Sequence, residues 1–283
     1  MFHRLAVLVV AFVAAVFAVA AFADARTTAV PHRIVSLSPS STESLFAIGA
    51  GKQVVAVDNQ SDYPKTAPRT TLSGYTPNVE AIAGYQPDLV VLSGDPGGVV
   101  EGLRRLGIRV VLQAAPNNLD GAYGEIRQLG VITGHAKAAT KLVRRMKTQI
   151  TAIVKASRKP RLSVYHELDP TYYSASSKTF IGRIYKLFGL RNIADAADST
   201  GSGYPQLSAE YILSANPSLI VLADTRCCAQ NASTVARRPG WSNLAAVRRH
   251  TVIGVDDSVA SRWGPRVVAF VRAVGKALKN AHA

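Results

Sequence analysis

Cysteine is nearly absent from this chain. Of 283 residues only two are Cys, the adjacent pair Cys227 and Cys228. A disulfide framework and a cysteine-rich zinc site are therefore excluded. Adjacent Cα atoms lie about 3.8 Å apart, short of the usual disulfide range, so a bridge within the pair would be strained. Free thiols and a vicinal disulfide both stay open. Acidic residues are scarce as well, 18 against 33 Lys and Arg, for a net charge of +15. Such an excess invites a polyanionic partner. Yet no stacking platform of aromatics interleaves with the basic residues and no nucleic-acid module is present, so nucleic acid is not an expected partner. Ten Lys and Arg fall between Ile126 and His166, where there is no Asp or Glu. A solvated helix face accounts for most of that run, with contact to anionic lipid headgroups as the other reading. Hydrolase motifs are missing too: there is no G-x-S-x-G and no H-E-x-x-H. The six histidines lack the short pairing of a metal motif, so no metal site is expected. Ser93-Gly94-Asp95-Pro96-Gly97-Gly98 fits neither phosphate-loop spacing and reads as a turn.

What is present begins with an export signal over residues 1–23. His3 and Arg4 precede an uninterrupted apolar run from Leu5 to Ala23, which ends in the small-x-small triplet Ala21-Phe22-Ala23. The alternative is an uncleaved membrane anchor. No cysteine lies nearby for lipidation, so the expectation is an exported protein that is not a lipoprotein. Beyond Arg33 the chain alternates short apolar runs with helical stretches. Ile34–Leu37, Val54–Val57, Leu89–Leu92 and Val110–Leu112 are continuous rather than alternating, as expected of parallel strands buried on both faces. Ser40 or Ser41 is expected to cap the helix that follows the first strand, with Glu43 at its positive end.

Residues 78–95 and 208–225 match at six of 18 aligned positions, including Glu80/Glu210, Pro87/Pro217 and Leu92/Leu222. The spacing points to two similar lobes, at 33–131 and 160–283. Between the copies, Ala139, Leu142, Val143, Met146, Ile150 and Ile153 form one apolar stripe, so 135–157 reads as a single amphipathic helix. At 1.5 Å per residue it is roughly 35 Å long, enough to bridge two lobes and hold a cleft of nearly fixed width. The predicted class is α/β, with two lobes built on mostly parallel sheets, joined by one long rigid helix, and a ligand cleft between them.

RIVSLSPSSTESLFAIG at 33–49, SDYP at 61–64, TFIGRIYKLFGLRNIA at 179–194 and SRWGPRVV at 261–268 stand in this order. Together the chain resembles the periplasmic substrate-binding proteins of ABC importers for iron complexes, haem and vitamin B12. SPSSTE, SDYP and YPQLSAE most resemble the branch that binds vitamin B12. The resemblance implies a non-enzymatic, extracytoplasmic receptor. Its cargo would be cobalamin or a related corrinoid, with haem or a ferric siderophore as alternatives. Its partner would be a permease dimer with its ATPase subunits, and it would meet the membrane only through that transporter or a retained signal anchor. An exported hydrolase is the rival class, and a cofactor store without transport is a third reading. Loops beyond the strand ends are expected to line the cleft. The candidate ligand contacts are Ser38, Ser40, Gln60, Tyr63, Tyr75, Tyr172, Tyr204, Ser258, Arg262 and Trp263, since a flat, partly apolar ligand needs aromatic faces and a few polar groups. Gln60 and Gly74 depart from the branch, which carries a tyrosine and a tryptophan there. His166 reads as a hydrogen-bonded structural histidine, or as an axial metal ligand. Glu80 and Glu210, one per lobe, are implied to dock on arginines of the permease.

Overall fold

The computed structural model describes residues 29–157 and 161–281. The expected export signal and Pro160 lie outside the described residues. Each apolar run becomes a strand: β1 (Ile34–Leu37), β2 (Val54–Val57), β3 (Leu89–Leu92) and β4 (Arg109–Leu112) form a parallel sheet in the order β2-β1-β3-β4. Later in the chain β5 (Ser163–Glu167), β6 (Arg191–Asn192), β7 (Leu219–Leu222) and β8 (Val252–Gly254) form a second, in the order β6-β5-β7-β8. The two sheets share one topology, and the duplicated segment supplies the equivalent strands β3 and β7. Successive residues of a strand point to opposite faces. Ile34, Leu89 and Val91 join one apolar cluster while Val35, Val90 and Leu92 join another. Leu219 and Val221 part from Ile220 and Leu222 in the same way. Both faces are covered, and for that reason the runs do not alternate.

Helices cover the sheets. The first lobe carries α1 (Pro39–Ala47), α2 (Val79–Ala83), α3 (Val99–Arg105) and α4 (Leu119–Ile132). The connector α5 spans Ala136–Ser157. The second lobe carries α6 (Phe180–Leu187), α7 (Ala209–Ala215), α8 (Ala232–Ala236), α9 (Ala245–Arg248), α10 (Asp257–Ala260) and α11 (Val267–Asn280). Ser38 caps α1, its Oγ accepting from the Ser41 N–H, so neither Ser40 nor Ser41 is the cap. Glu43 lies beyond the first turn and is buried, which corrects its expected part as a charge at the helix start.

α5 packs on α4 of the first lobe and α11 of the second. Ala139 lies so close to Gly130 that a Cβ at that glycine would sit 2.4 Å from it. One apolar cluster runs unbroken from Ile34 and Val91 through Leu142, Met146 and Ile150 to Val164, Val221 and Phe270. The connector is thus shared core rather than a tether. Burying each of its large apolar side chains contributes about 1.5–3 kcal/mol. Among the described residues no helix is long and apolar enough to cross a membrane.

Candidate functional site

Loops at the C-terminal ends of both sheets enclose two adjoining cavities between the lobes. One, of about 290 Å³, is lined by Ser38, Ser40, Asp58, Gln60, Gly74 and Tyr75 from the first lobe and by Ser258, Arg262 and Trp263 from the second. The other, of about 250 Å³, is lined by Ala115–Asn117, Phe180, Tyr204 and again Trp263. Trp263 divides them, held by its backbone N–H donating to Ser40 Oγ at 3.2 Å. Tyr75 and Tyr204 are 79% and 50% exposed, so their ring faces are open to a ligand. Asp58 is buried and its Oδ1 has no partner. Burial pushes its pKa above the usual carboxylate value, against hydrogen bonds from Ser61 and Gln60 that lower it. At Gly74 a Cβ would sit 2.6 Å from the Leu37 carbonyl oxygen, so this backbone has no room for a tryptophan there.

The cleft floor carries an ion network that sequence reasoning missed. Arg262 Nη1 lies 2.8 Å from Asp62 Oδ1 and 3.2 Å from Glu43 Oε1, and its Nη2 donates to the Gln60 carbonyl at 2.7 Å. Arg266 Nη2 adds a 2.6 Å bond to Glu43, and Arg226 Nη1 reaches Asp62 at 3.1 Å. Three arginines of the second lobe thus grip two carboxylates of the first. Burial alone would raise the Asp62 pKa, but the surrounding arginines outweigh it and hold it below the usual range. Asp62 and Arg266 stood inside SDYP and SRWGPRVV, and Glu43 inside SPSSTE, yet nothing local paired them. The scarcity of acid in so basic a chain was the one available signal.

Of the candidate ligand contacts, Ser38, Ser40, Gln60, Tyr75, Tyr204, Ser258, Arg262 and Trp263 line the two cavities. Two candidates do not line these cavities. Tyr63 lies under the Arg266 guanidinium, 4.4 Å from ring centroid to Cζ. Tyr172 stacks on Trp241 at 5.7 Å with Arg238 over its ring, and packs against the second lobe's own core. His166 is buried with Nδ1 2.6 Å from Tyr185 Oη, and burial pushes its pKa down to about 3. It is a neutral core residue and lines neither cavity. Cys227 and Cys228 are unbridged. Glu80 and Glu210 are exposed in the first turns of α2 and α7, whose caps Asn78 and Ser208 are equivalent. Glu125, on α4 beside the Trp263 indole, is raised to about 7 by burial.

Two α/β lobes on a helical connector, facing each other across an aromatic cleft, are the build of an extracytoplasmic solute-binding receptor. The model of the family described as periplasmic binding protein matches residues 34–259, and the chain belongs to that family. An uncharacterized ABC transporter substrate-binding lipoprotein of Bacillus subtilis is 31% identical over 259 residues, covering 88% of this chain and 80% of that one. A cobalamin-binding protein of Halobacterium salinarum is 32% identical over 274 residues, 91% of this chain and 73% of the relative. Among solved structures, the periplasmic vitamin B12-binding protein of Vibrio cholerae superposes with a TM-score of 0.75 at 25% identity, over 89% of this chain and 98% of that one. The expected fold and family are borne out. One expectation is corrected: a relative from Bacillus is named a substrate-binding lipoprotein, so the expectation of a protein that is not a lipoprotein does not stand. An extracytoplasmic location remains consistent with the family.

Proposed function

We propose that the cleft captures cobalamin or a related corrinoid and presents it to an ABC permease. The observation that carries this reading is the cleft lining itself: the open rings of Tyr75 and Tyr204 and the indole of Trp263, set around serines and the buried Asp58 carboxyl, whose Oδ1 has no partner. A corrin presents a broad, partly apolar ring with amide side chains at its rim. Aromatic faces match the ring, and serine hydroxyls and a carboxyl match the amides. The cobalamin-binding name of the Halobacterium relative supports the same cargo. The working units are then lobes at 33–131 and 160–283 with the connector at 135–157. Glu80 and Glu210 are the docking pair for the two halves of a two-fold permease, since exposed carboxylates at equivalent places meet a repeated basic patch.

Spectrophotometric titration of the purified protein against cobalamin, haem and a ferric siderophore tests the cargo. Cobalamin is expected to saturate one site at micromolar concentration or below. Tighter binding of haem or siderophore, or no binding of any of the three, overturns the assignment.

A further inference from the structure

A cavity of about 710 Å³ lies outside the cleft, between α4, α5 and α6. Its walls are apolar: Tyr123 from α4, Ile150 and Val154 from α5, Ile184 and Leu187 from α6. Leu187 is 38% exposed, so the cavity opens to water. Along α5 the lining runs from Lys147 to Lys155, about 12 Å at 1.5 Å per residue, which makes the cavity a trough along the helix.

Its rim is cationic. Lys147, Lys155 and Arg183 stand around it, with Asp120 as the one acid. Asp120 is taken by Lys147 at 2.8 Å. Among the described residues Lys155 and Arg183 have no ion-pair partner. Lys155 also ends an exposed stripe with Lys137, Lys141 and Arg144, on the side of α5 opposite Ala139 and Met146. This is the acid-free stretch of the sequence, and solvation alone would place no apolar trough beside it. Capture of a ligand in the cleft makes no use of the trough either.

We propose that this trough binds a single acyl chain bearing an anionic head, the chain lying along Ile150, Val154 and Leu187 and the head meeting Lys155 and Arg183. Elongated apolar walls select the chain and unpaired cations select the charge. A free fatty acid and a lysophospholipid share this chemistry.

The test is calorimetric titration of the full chain, below micelle concentrations, with laurate, lauroyl-lysophosphatidylglycerol, dodecanol and inorganic phosphate. At least one anionic chain is expected to saturate one site, and the tighter of the two names the source. Dodecanol should bind at least tenfold more weakly, and phosphate should give no heat. Lys155→Glu with Arg183→Glu should weaken the anionic chain at least tenfold. Thr151→Trp, which fills the trough from its exposed rim, should abolish binding. Both variants should keep the wild-type melting temperature and the cleft titration unchanged. The proposal is overturned if neither chain saturates, if phosphate alone binds as tightly, or if the folded Thr151→Trp protein binds the chain like wild type.

Discussion

Replacing Arg262 with Met removes the central cation of the interlobe network without leaving a large void. Its Nη1 lies 2.8 Å from Asp62 and 3.2 Å from Glu43. At an effective dielectric near 20 these contacts have gross Coulomb energies of about 6 and 5 kcal/mol. Desolvation offsets most of that, because the Arg262 side chain is only 13% exposed. The two carboxylates are not left bare, since Arg266 stays 2.6 Å from Glu43 and Arg226 stays 3.1 Å from Asp62. The loss should therefore fall at or below the low end for a broken buried pair, about 2–3 kcal/mol. For a chain of this size it reads as a fall in Tm of about 4–12 °C. A double-mutant cycle with Asp62→Asn should return a coupling of about 1–3 kcal/mol. The pH dependence follows from the lowered pKa of Asp62. Its contribution is complete above the unfolded value near 4 and is lost as pH falls through the folded value, so wild type and variant should converge in acid. A Tm within 1 °C of wild type together with a coupling under about 0.5 kcal/mol would refute the network as a clamp between the lobes.

Tyr204→Ala should weaken corrinoid binding by about 1 kcal/mol, roughly fivefold, in the absorbance titration; unchanged affinity would place the ligand elsewhere. Glu80→Lys with Glu210→Lys should abolish uptake in cells while affinity for the cargo stays the same, and normal transport by that variant rejects the docking pair. Met146→Ala empties a site in the shared core and should cost about 2–5 kcal/mol in chemical denaturation. A loss below about 1 kcal/mol would mean that the lobes do not depend on the connector for packing. Glu125, raised to about 7, binds a proton in the folded state that the unfolded chain releases near 4.3, so it lowers stability as pH rises between those values. Glu125→Gln should remove that slope, read from urea melts at pH 5 and pH 8, and an unaltered slope would contradict its buried titration.

The architecture was legible because it is written in local patterns. Residues 54–57, 89–92 and 219–222 are continuous apolar runs and 34–37 is broken only by Ser36, the pattern favoured in strands buried on both faces. The 3–4 spacing from Ala139 to Ile150 marked the connector to within one residue of its observed start at Ala136. The aromatic candidates were legible only in part. Tyr75, Tyr204 and Trp263 reached the cleft, whereas Tyr172 was claimed by Trp241 and Arg238. A loop tyrosine carries no sequence mark that tells a ligand face from a packing face.

By itself, then, the amino-acid sequence determined the two sheets, the stiff helix between them and the surface placement of the repeated glutamates, since each follows from periodicity or capping within a few residues. Tertiary structure alone decided how the lobes are held together. Arg262 meets Glu43 across 219 positions of sequence and Asp62 across 200, and Arg226 meets Asp62 across 164. Charge attracts through space and not along the chain, so those partners, and the apolar trough beside α5, exist only once the fold has brought distant segments together.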